Sequence, residues 1–91
     1  MKFRFKASCA FWKSFTKLPE RQQVSAKAAY KVFEANPFDP RLRAHKINSL
    51  SAYYGKTVYA AEIEGDLHTA FYVEGEMIFT ADIGSHAIYR V

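Results

Sequence analysis

The side chains best suited to acid–base chemistry lie close to the end of this 91-residue sequence. An apolar run of alternating pattern stops at Gly84, and His86 and Tyr89 follow it. A glycine at a strand end lets the backbone turn without steric cost and redirects the next side chains. An imidazole and a phenol would then stand at the edge of a rigid element, where reactive groups are often found. A frayed chain end with an incidental histidine is the alternative.

Three further titratable side chains lie upstream of this segment. His45 follows a proline-rich break, Asp66 lies in a predicted turn, and His68 lies in the strand after it. Imidazoles and carboxylates are common general acids and bases, and histidine changes its charge near neutral pH. The three histidines lack the close spacing of a metal motif, so a metal site is not favoured. His68 is expected to pair with Glu62 or Asp82 rather than to react.

Length and composition predict one small globular domain, 1–91. The hydrophobic content is 49% and the aromatic content 16%, which predicts a modest core filled by large rings. The single cysteine, Cys9, cannot form an internal disulfide and is expected to be a buried thiol, which favours a reducing cytoplasm. No run approaches the roughly 18 apolar residues of a membrane span, so we expect a soluble cytoplasmic protein with no membrane contact.

Charge is distributed unevenly along the chain. Residues 1–56 contain 12 Lys and Arg and three acidic residues, a net charge of +9. Residues 57–91 contain one Arg and six acidic residues, a net charge of −5. A basic half can attract phosphates and bind nucleic acid. Alternatively its lysines only solvate two helices, and composition does not separate these interpretations.

The elements that must position these side chains follow from periodicity and caps. Residues 2–7 alternate between basic and apolar side chains, which is typical of a half-buried strand. Ser8 is suited to cap a first helix that runs to about Lys17. Pro19 suits the first turn of a second helix that runs to about Ala35. Helices joined by so short a break form an antiparallel hairpin.

Three strands are predicted after the hairpin, at 57–64, 67–73 and 77–83, and a basic stretch and a loop precede them. The fold class is therefore α+β with the order β-α-α-β-β-β, an antiparallel twisted sheet with the N-terminal helical hairpin packed on one face. Alternation in the last strand divides its side chains between the faces. The set expected under the hairpin is Phe79, Ala81 and Ile83, and the set expected on the open face is Ile78, Thr80 and Asp82.

The open face of the sheet is where the titratable side chains are expected to meet. His68 has the parity of the open face in its strand, as Asp82 has in the last strand. If the chain stays extended beyond Gly84, His86 keeps the parity of Asp82. The prediction is then a face that gathers His68, Asp82 and His86.

The order of these elements and motifs resembles the RelE/ParE superfamily of bacterial toxins, and most closely its RelE and YafQ-like messenger-RNA interferases. The resemblance covers nearly the whole chain. It rests on the helix-helix-strand order and on two motifs, Leu42-x-x-His45-Lys46-Ile47 and Asp82-Ile83-Gly84-x-His86-x-x-Tyr89. It implies a toxin neutralised by a co-encoded antitoxin protein, and an endoribonuclease that acts on mRNA in the ribosomal A site.

The resemblance also implies roles for individual residues. Such RNases use no metal or other cofactor, since a base activates the ribose 2′-hydroxyl and an acid protonates the departing 5′-oxygen. His86 matches the family's terminal histidine and is the expected acid, with Asp66 or His45 as base. Tyr89 matches a terminal aromatic position. Cations that stabilise charge on the phosphate are expected in the loops: Arg43, Lys46 and Lys56.

The strands depart from the pattern of RelE-like members. His68 stands where those members usually have an arginine, and Tyr59 and Ala61 stand where they have lysines. Two alternatives therefore stay open: a ParE-like toxin that acts on DNA gyrase without cleaving RNA, and a domain that binds its antitoxin but has lost catalysis. In each case the resemblance implies an antitoxin that lays an acidic, amphipathic segment across the helices or an open sheet edge.

Overall fold

The computed structural model describes residues 3–89, and for His86 it describes the backbone alone. The predicted α+β order is confirmed, and a short strand and a short helix are added where a loop was expected. The elements in chain order are β1 (Arg4–Ala7), α1 (Cys9–Lys17), α2 (Glu20–Ala35), a 3₁₀ turn (Pro40–Leu42), β2 (His45–Lys46), α3 (Asn48–Tyr54), β3 (Val58–Glu64), β4 (Leu67–Glu74), β5 (Met77–Gly84) and a terminal 3₁₀ turn (His86–Tyr89).

The strands form one five-stranded sheet in the order β1-β5-β4-β3-β2. Neighbours from β2 to β5 are antiparallel, as predicted, whereas β1 joins the edge parallel to β5. The prediction of an antiparallel sheet is therefore correct except at this edge. Lys2, with which the first predicted strand began, lies outside the described residues.

Side-chain caps close the helical hairpin at both ends of α1. The hydroxyl of Ser8 accepts a hydrogen bond from the amide of Phe11 at 3.0 Å, as its predicted role as a cap requires. The same hydroxyl donates to the carbonyl of Ala81 at 2.6 Å, which ties the start of α1 to β5. At the other end, the side-chain amide of Gln23 donates through Nε2 to the carbonyl of Leu18 at 3.0 Å. These bonds satisfy polar groups that a tight helical turn would otherwise leave open.

The main core lies between the hairpin and the sheet. Phe33 of α2 is buried and meets Phe71 of β4 edge to face, with ring centroids 4.9 Å apart. Phe11 of α1 is buried in a second cluster together with Ala26. Cys9, in contrast, is exposed at the start of α1, so the prediction of a buried thiol is wrong. Of the helices described, none combines the length and apolarity that crossing a membrane requires.

A bulge in β5 changes which side chains face the hairpin. The register with β4 shifts between Thr80 and Asp82, which leaves Ala81 as the extra residue. Before the bulge, Ile78 packs in the hairpin-side core, while Phe79 stacks on Tyr72 of the other face at 5.1 Å. The faces predicted for Ile78, Phe79 and Thr80 are therefore wrong. Those for Asp82 and Ile83, beyond the bulge, are correct because the extra residue restores the predicted parity.

The face opposite the hairpin is partly covered rather than open. Leu50 of α3 packs on Val58 of β3 and Ala70 of β4, together with Ile88 of the terminal turn. Helix α3 ends at Gly55, whose φ of 70° is the left-handed conformation that glycine adopts readily. The sheet thus carries helical segments on both sides. We call the side covered by α3 and the terminal turn the α3 face, and the other the hairpin face.

Candidate functional site

The chain turns, and does not stay extended, beyond Gly84. The amide of Ile88 donates to the carbonyl of Ser85 at 3.0 Å, which closes the terminal 3₁₀ turn. A Cβ atom added to Gly84 would lie only 2.9 Å from Cγ2 of Ile88. The glycine is therefore needed for the close approach of Ile88, rather than for a left-handed φ. The prediction that His86 lies on the face of Asp82 assumed an extended chain, and the structure has this turn instead. The side chain of His86 itself lies outside the described part of the structure.

A buried histidine lies where the terminal turn begins. His68 pairs with Gly84 in the sheet, and the residue is only 4% exposed. Its Nε2 lies 3.3 Å from Oδ1 of Asp66, and its ring centroid lies 5.6 Å from that of Tyr89. The structure therefore brings together two predicted site residues, Asp66 and Tyr89, around one that was expected to be structural. We call Asp66, His68 and Tyr89 the His68 cluster.

Asp66 supplies the solvent-exposed group of the His68 cluster. It lies in the turn between β3 and β4, and its side chain is 62% exposed. The turn is made possible by Gly65, with a φ of 47°. A groove of about 450 Å³ borders the turn and is lined in part by Arg21, from the first turn of α2. Asp66 thus combines an accessible carboxylate with contact to a buried imidazole.

Tyr89 contributes a neutral phenol to the cluster. Burial raises the pKa of the Tyr89 phenol, and the nearby carboxylates of Glu62 and Asp66 raise it further. The hydroxyl therefore stays protonated near neutral pH and can act as a hydrogen-bond donor. The hydroxyl of Ser49 in α3 donates to the backbone carbonyl of Tyr89 at 3.1 Å, which fixes the terminal turn against the helix.

His45 lies on the α3 face but outside the His68 cluster. It is exposed in β2 and pairs with Ala60, and directly opposed residues share a face of the sheet. Its Nδ1 lies 2.9 Å from the carbonyl of Arg43, which favours a proton on that nitrogen. Glu64, next to the turn of Asp66, lies four positions beyond Ala60 in β3, which corresponds to about 13 Å of strand.

The three cations predicted to bind phosphate are not brought to one place. Lys46 pairs with Tyr59 and so lies on the hairpin face, opposite to the face of His45. Lys56 lies beyond the far end of β3 from Asp66, where its Nζ pairs with Glu74 at 2.9 Å. Arg43 precedes β2 in an exposed connection, with a φ of 48°.

Carboxylates surround the His68 cluster. Glu62 is directly opposite His68 on β3. Asp82 lies two residues before Gly84, and its Oδ1 accepts hydrogen bonds from Ser14 at 2.6 Å and from the amide of Ile83 at 2.8 Å. Within residues 3–89, and leaving aside the side chain of His86, no three His, Cys, Asp or Glu side chains are arranged to hold a metal ion. The local field is therefore that of carboxylates around an imidazole.

The contact between His68 and Asp66 is the part of the candidate site that sequence reasoning missed. His68 was expected to pair with Glu62 or Asp82, and in the structure its Nε2 lies 3.3 Å from Oδ1 of Asp66. The spacing Asp66-x-His68 at the start of β4 could have predicted this contact, because residues two apart in a strand lie on the same side. Chemically, an accessible carboxylate held by a buried imidazole is suited to accept a proton from a ligand.

No protein-family model and no curated protein matches this sequence. Several solved structures are similar to this chain in fold. The crystal structure of YafQ from E. coli strain BL21(DE3) is 16% identical, with 99% of this chain and 100% of that chain covered and a TM-score of 0.75. A chain of the E. coli DinJ–YafQ toxin–antitoxin complex is 14% identical, with both chains fully covered and a TM-score of 0.76.

The similarity extends to an archaeal structure. A chain of the RelE–RelB complex from Pyrococcus horikoshii OT3 is 18% identical, with both chains fully covered and a TM-score of 0.73. Such coverage at low identity means that the whole architecture, rather than one motif, is shared. The chain therefore has the fold of the RelE/YafQ-like toxins, as the resemblance of its sequence predicted.

Proposed function

We propose that this chain is the toxin of a type II toxin–antitoxin pair and that it cleaves mRNA on the ribosome. The observation that carries the proposal is the His68 cluster, in which the exposed Asp66 carboxylate is held 3.3 Å from a buried imidazole. The turn that contains His86 begins beside this cluster, because Gly84 pairs with His68. One end of the sheet thus combines a candidate base with a candidate acid.

The proposed reaction needs two proton transfers and no cofactor. Asp66 takes the proton of a ribose 2′-hydroxyl while the 2′-oxygen attacks the adjacent phosphorus. The bond from phosphorus to the 5′-oxygen breaks, and protonated His86 gives its proton to that oxygen. The products are a 2′,3′-cyclic phosphate and a 5′-hydroxyl end. Exchange with water then removes the proton from Asp66 and restores that of His86.

Tyr89 and the nearby cations have supporting roles in this proposal. The neutral phenol of Tyr89 has a buried hydroxyl, so Tyr89 is assigned the support of the His68 ring, 5.6 Å away, rather than a phosphate contact. Arg21, which shares the groove of Asp66, is the added candidate for a phosphate contact. Arg43, in the exposed connection before β2, contacts a phosphate farther along the RNA, whereas Lys46, on the hairpin face, is assigned no phosphate contact. His45, the other candidate base, lies outside the His68 cluster and is assigned no proton transfer.

Incubation with translating ribosomes and a defined mRNA tests the proposed function. The wild-type chain is expected to cut the mRNA, and His86→Ala is expected to cut it at least about 100-fold more slowly, the usual size of an acid–base contribution. His45→Gln is the matched control, since it changes a histidine outside the cluster. Absence of cleavage by the wild type, or equal cleavage by His86→Ala, would contradict the proposal.

An apolar groove on the hairpin face supports an antitoxin as partner. The groove has a volume of about 430 Å³ and lies between α1, α2 and β1. Phe5, Phe11 and Phe15 line it, and so do exposed lysines, among them Lys27 and Lys31. Apolar walls with cations beside them suit an amphipathic segment with acidic side chains, which is where we place the antitoxin.

A charge reversal tests this placement. The product of the neighbouring gene is the candidate antitoxin, and its complex with this chain is expected to dissociate more readily when Lys31 is changed to Glu. Lys13→Glu is the matched control, because Lys13 belongs to α1 but does not line the groove. Equal dissociation rates for the two variants would place the antitoxin elsewhere.

The carboxylates around His68 favour a second candidate, an antitoxin-binding domain without nuclease activity. Glu62 and Asp66 oppose the approach of phosphate unless cations compensate for them. This candidate predicts a chain that leaves mRNA intact when produced alone and still binds the antitoxin. A toxin that acts on DNA gyrase would instead cause gyrase-dependent DNA damage without loss of mRNA.

A further inference from the structure

Helix α3 exposes two tyrosines at its C-terminal end. Tyr53 is 66% exposed and Tyr54 is 39% exposed. Their ring centroids are 5.1 Å apart, and Tyr54 lies 6.2 Å from Tyr72 of β4. Tyr72 in turn stacks on Phe79 of β5 at 5.1 Å. Four aromatic rings thus follow one another across the α3 face, and we call Tyr53, Tyr54, Tyr72 and Phe79 the aromatic row.

Grooves on either side of Tyr54 extend the aromatic row in both directions. One groove, of about 300 Å³, is lined by Tyr54, Phe79 and Lys6. The other, of about 320 Å³, is lined by both α3 tyrosines and by Ala87 and Ile88 of the terminal turn. The row therefore borders a path from the β1 edge to the turn that contains His86.

Cations accompany the aromatic row at the end remote from the His68 cluster. Lys6 pairs with Phe79 and Arg4 pairs with Met77, so both cations lie on the α3 face of the edge strand. The Nζ of Lys56 lies 4.6 Å from the centre of the Tyr72 ring, a cation–π contact. Near the other end of the path, Asp82 is engaged by Ser14, which reduces the effect of its charge on a ligand.

Aromatic rings next to cations on one surface are the chemistry that holds single-stranded nucleic acid, because bases stack on rings while phosphates meet the cations. We infer that the aromatic row binds the stretch of single-stranded RNA next to the cleaved bond. The exposed tyrosines stack its bases, and Arg4, Lys6 and Lys56 meet its phosphates. The inference rests on the proposed function for its substrate, but the binding itself needs no cleavage.

Fluorescence anisotropy with a labelled 2′-O-methyl oligoribonucleotide tests the row, because this probe has no 2′-hydroxyl and resists cleavage. Tyr53→Ala and Tyr54→Leu are each expected to weaken binding about 5- to 160-fold, the usual loss for one stacking ring. Trp12→Leu is the matched control, since Trp12 is an exposed aromatic residue of α1 that does not line either groove. Melting curves of each variant report whether it folds. Because Tyr53 is highly exposed, Tyr53→Ala is expected to fold like the wild type.

The salt dependence of binding tests the cations separately. Replacing Lys6 by Ala is expected to reduce the slope of log K against log salt by about 0.7, the value for one phosphate contact to a single strand. Replacing Lys13, which does not line the path, is expected to leave the slope unchanged. An unchanged slope for Lys6→Ala would remove this cation from the site.

The outcomes separate this inference from the proposed function. Tyrosine-dependent binding by a chain that cuts no mRNA would refute cleavage and keep the aromatic row as an RNA site. Cleavage by a chain whose Tyr53→Ala and Tyr54→Leu variants bind the probe as tightly as the wild type would refute the row and keep cleavage. Failure of the wild type to bind the probe would also refute the row, and would leave a protein partner as its occupant.

Discussion

At one end of the α3 face a buried histidine lies among carboxylates, and at the other end exposed tyrosines lie beside lysines. The side chains of the first end are of the types that can exchange protons, whereas those of the second are of the types that can stack on bases and attract phosphate. The packing of Leu50 and Ile88 over the middle of the sheet separates the two. Tyr72 of the second end and Tyr89 of the first both pack against this apolar layer. We nevertheless expect, and the substitutions below test, that groups for reaction and groups for binding can be changed independently.

Among substitutions that act through positioning and packing, removing the imidazole of His68 should have the largest effect, and only at the reactive end. His68→Leu is expected to lower the cleavage rate about 100-fold, because a misplaced catalytic group costs about that much, while binding of the 2′-O-methyl probe stays unchanged. His68→Gln should recover part of the rate, since an amide can still donate to Asp66. A loss of probe binding equal to the loss of rate would show that the two ends are not independent.

Filling the space at Gly84 should disturb the link between the strand and the terminal turn. Gly84→Ala is expected to cost about 1–3 kcal/mol of unfolding free energy, because its methyl would lie 2.9 Å from Cγ2 of Ile88. The cost should be markedly smaller when Ile88 is already Ala. Urea denaturation of the four chains of this double-mutant cycle measures the difference, and equal costs in both backgrounds would contradict the contact.

Alkaline pH should reveal a tyrosine on the hairpin face that anchors the same strands. Burial raises the pKa of the Tyr30 phenol, which is hydrogen-bonded to Thr69 at 2.7 Å. Its stabilising contribution is complete below pH 10, the usual pKa, and is lost as the pH rises further because ionisation favours the unfolded chain. Relative to that of Tyr30→Phe, the free energy of unfolding of the wild type should fall by about 1.4 kcal/mol for each pH unit above pH 10. Curves of unfolding free energy against pH that run parallel for the two chains would contradict this.

The smallest effect is expected from the ion pair beside the aromatic row. Lys56 and Glu74 are both partly exposed, so Glu74→Gln should change the unfolding free energy by less than about 1 kcal/mol. The same change frees the lysine for a phosphate and should tighten probe binding slightly. Weaker binding by Glu74→Gln would show that Lys56 does not serve the row.

The sequence predicted the main elements because their signals are local. Alternation predicts β1, a serine cap and a proline predict where the two helices of the hairpin begin, and turn residues separate the last three strands. Strand β2 has two residues and α3 has seven, which is too short for a periodic pattern to emerge. The pairing of β1 with β5 joins the two ends of the chain, so no local pattern could give its direction.

The site was predicted less completely because it depends on register. Asp66 and Tyr89 were predicted as site residues and lie on either side of His68, whose central position follows from a turn and from a strand pairing that no local pattern contains. The bulge at Ala81 adds one residue to β5, and strict alternation cannot anticipate such an insertion. The dispersal of Lys46 and Lys56 likewise follows from strand pairing and not from their common charge.

The separation of reaction from binding is tested most directly by measuring both on Asp66→Asn. The substitution keeps the size and the polar contact of the side chain but removes its capacity to accept a proton. Cleavage of mRNA on the ribosome should fall at least about 100-fold, with binding of the 2′-O-methyl probe unchanged. An Asp66→Asn chain that cuts mRNA at the wild-type rate would contradict the assignment of the base and, with it, the reactive end of the sheet.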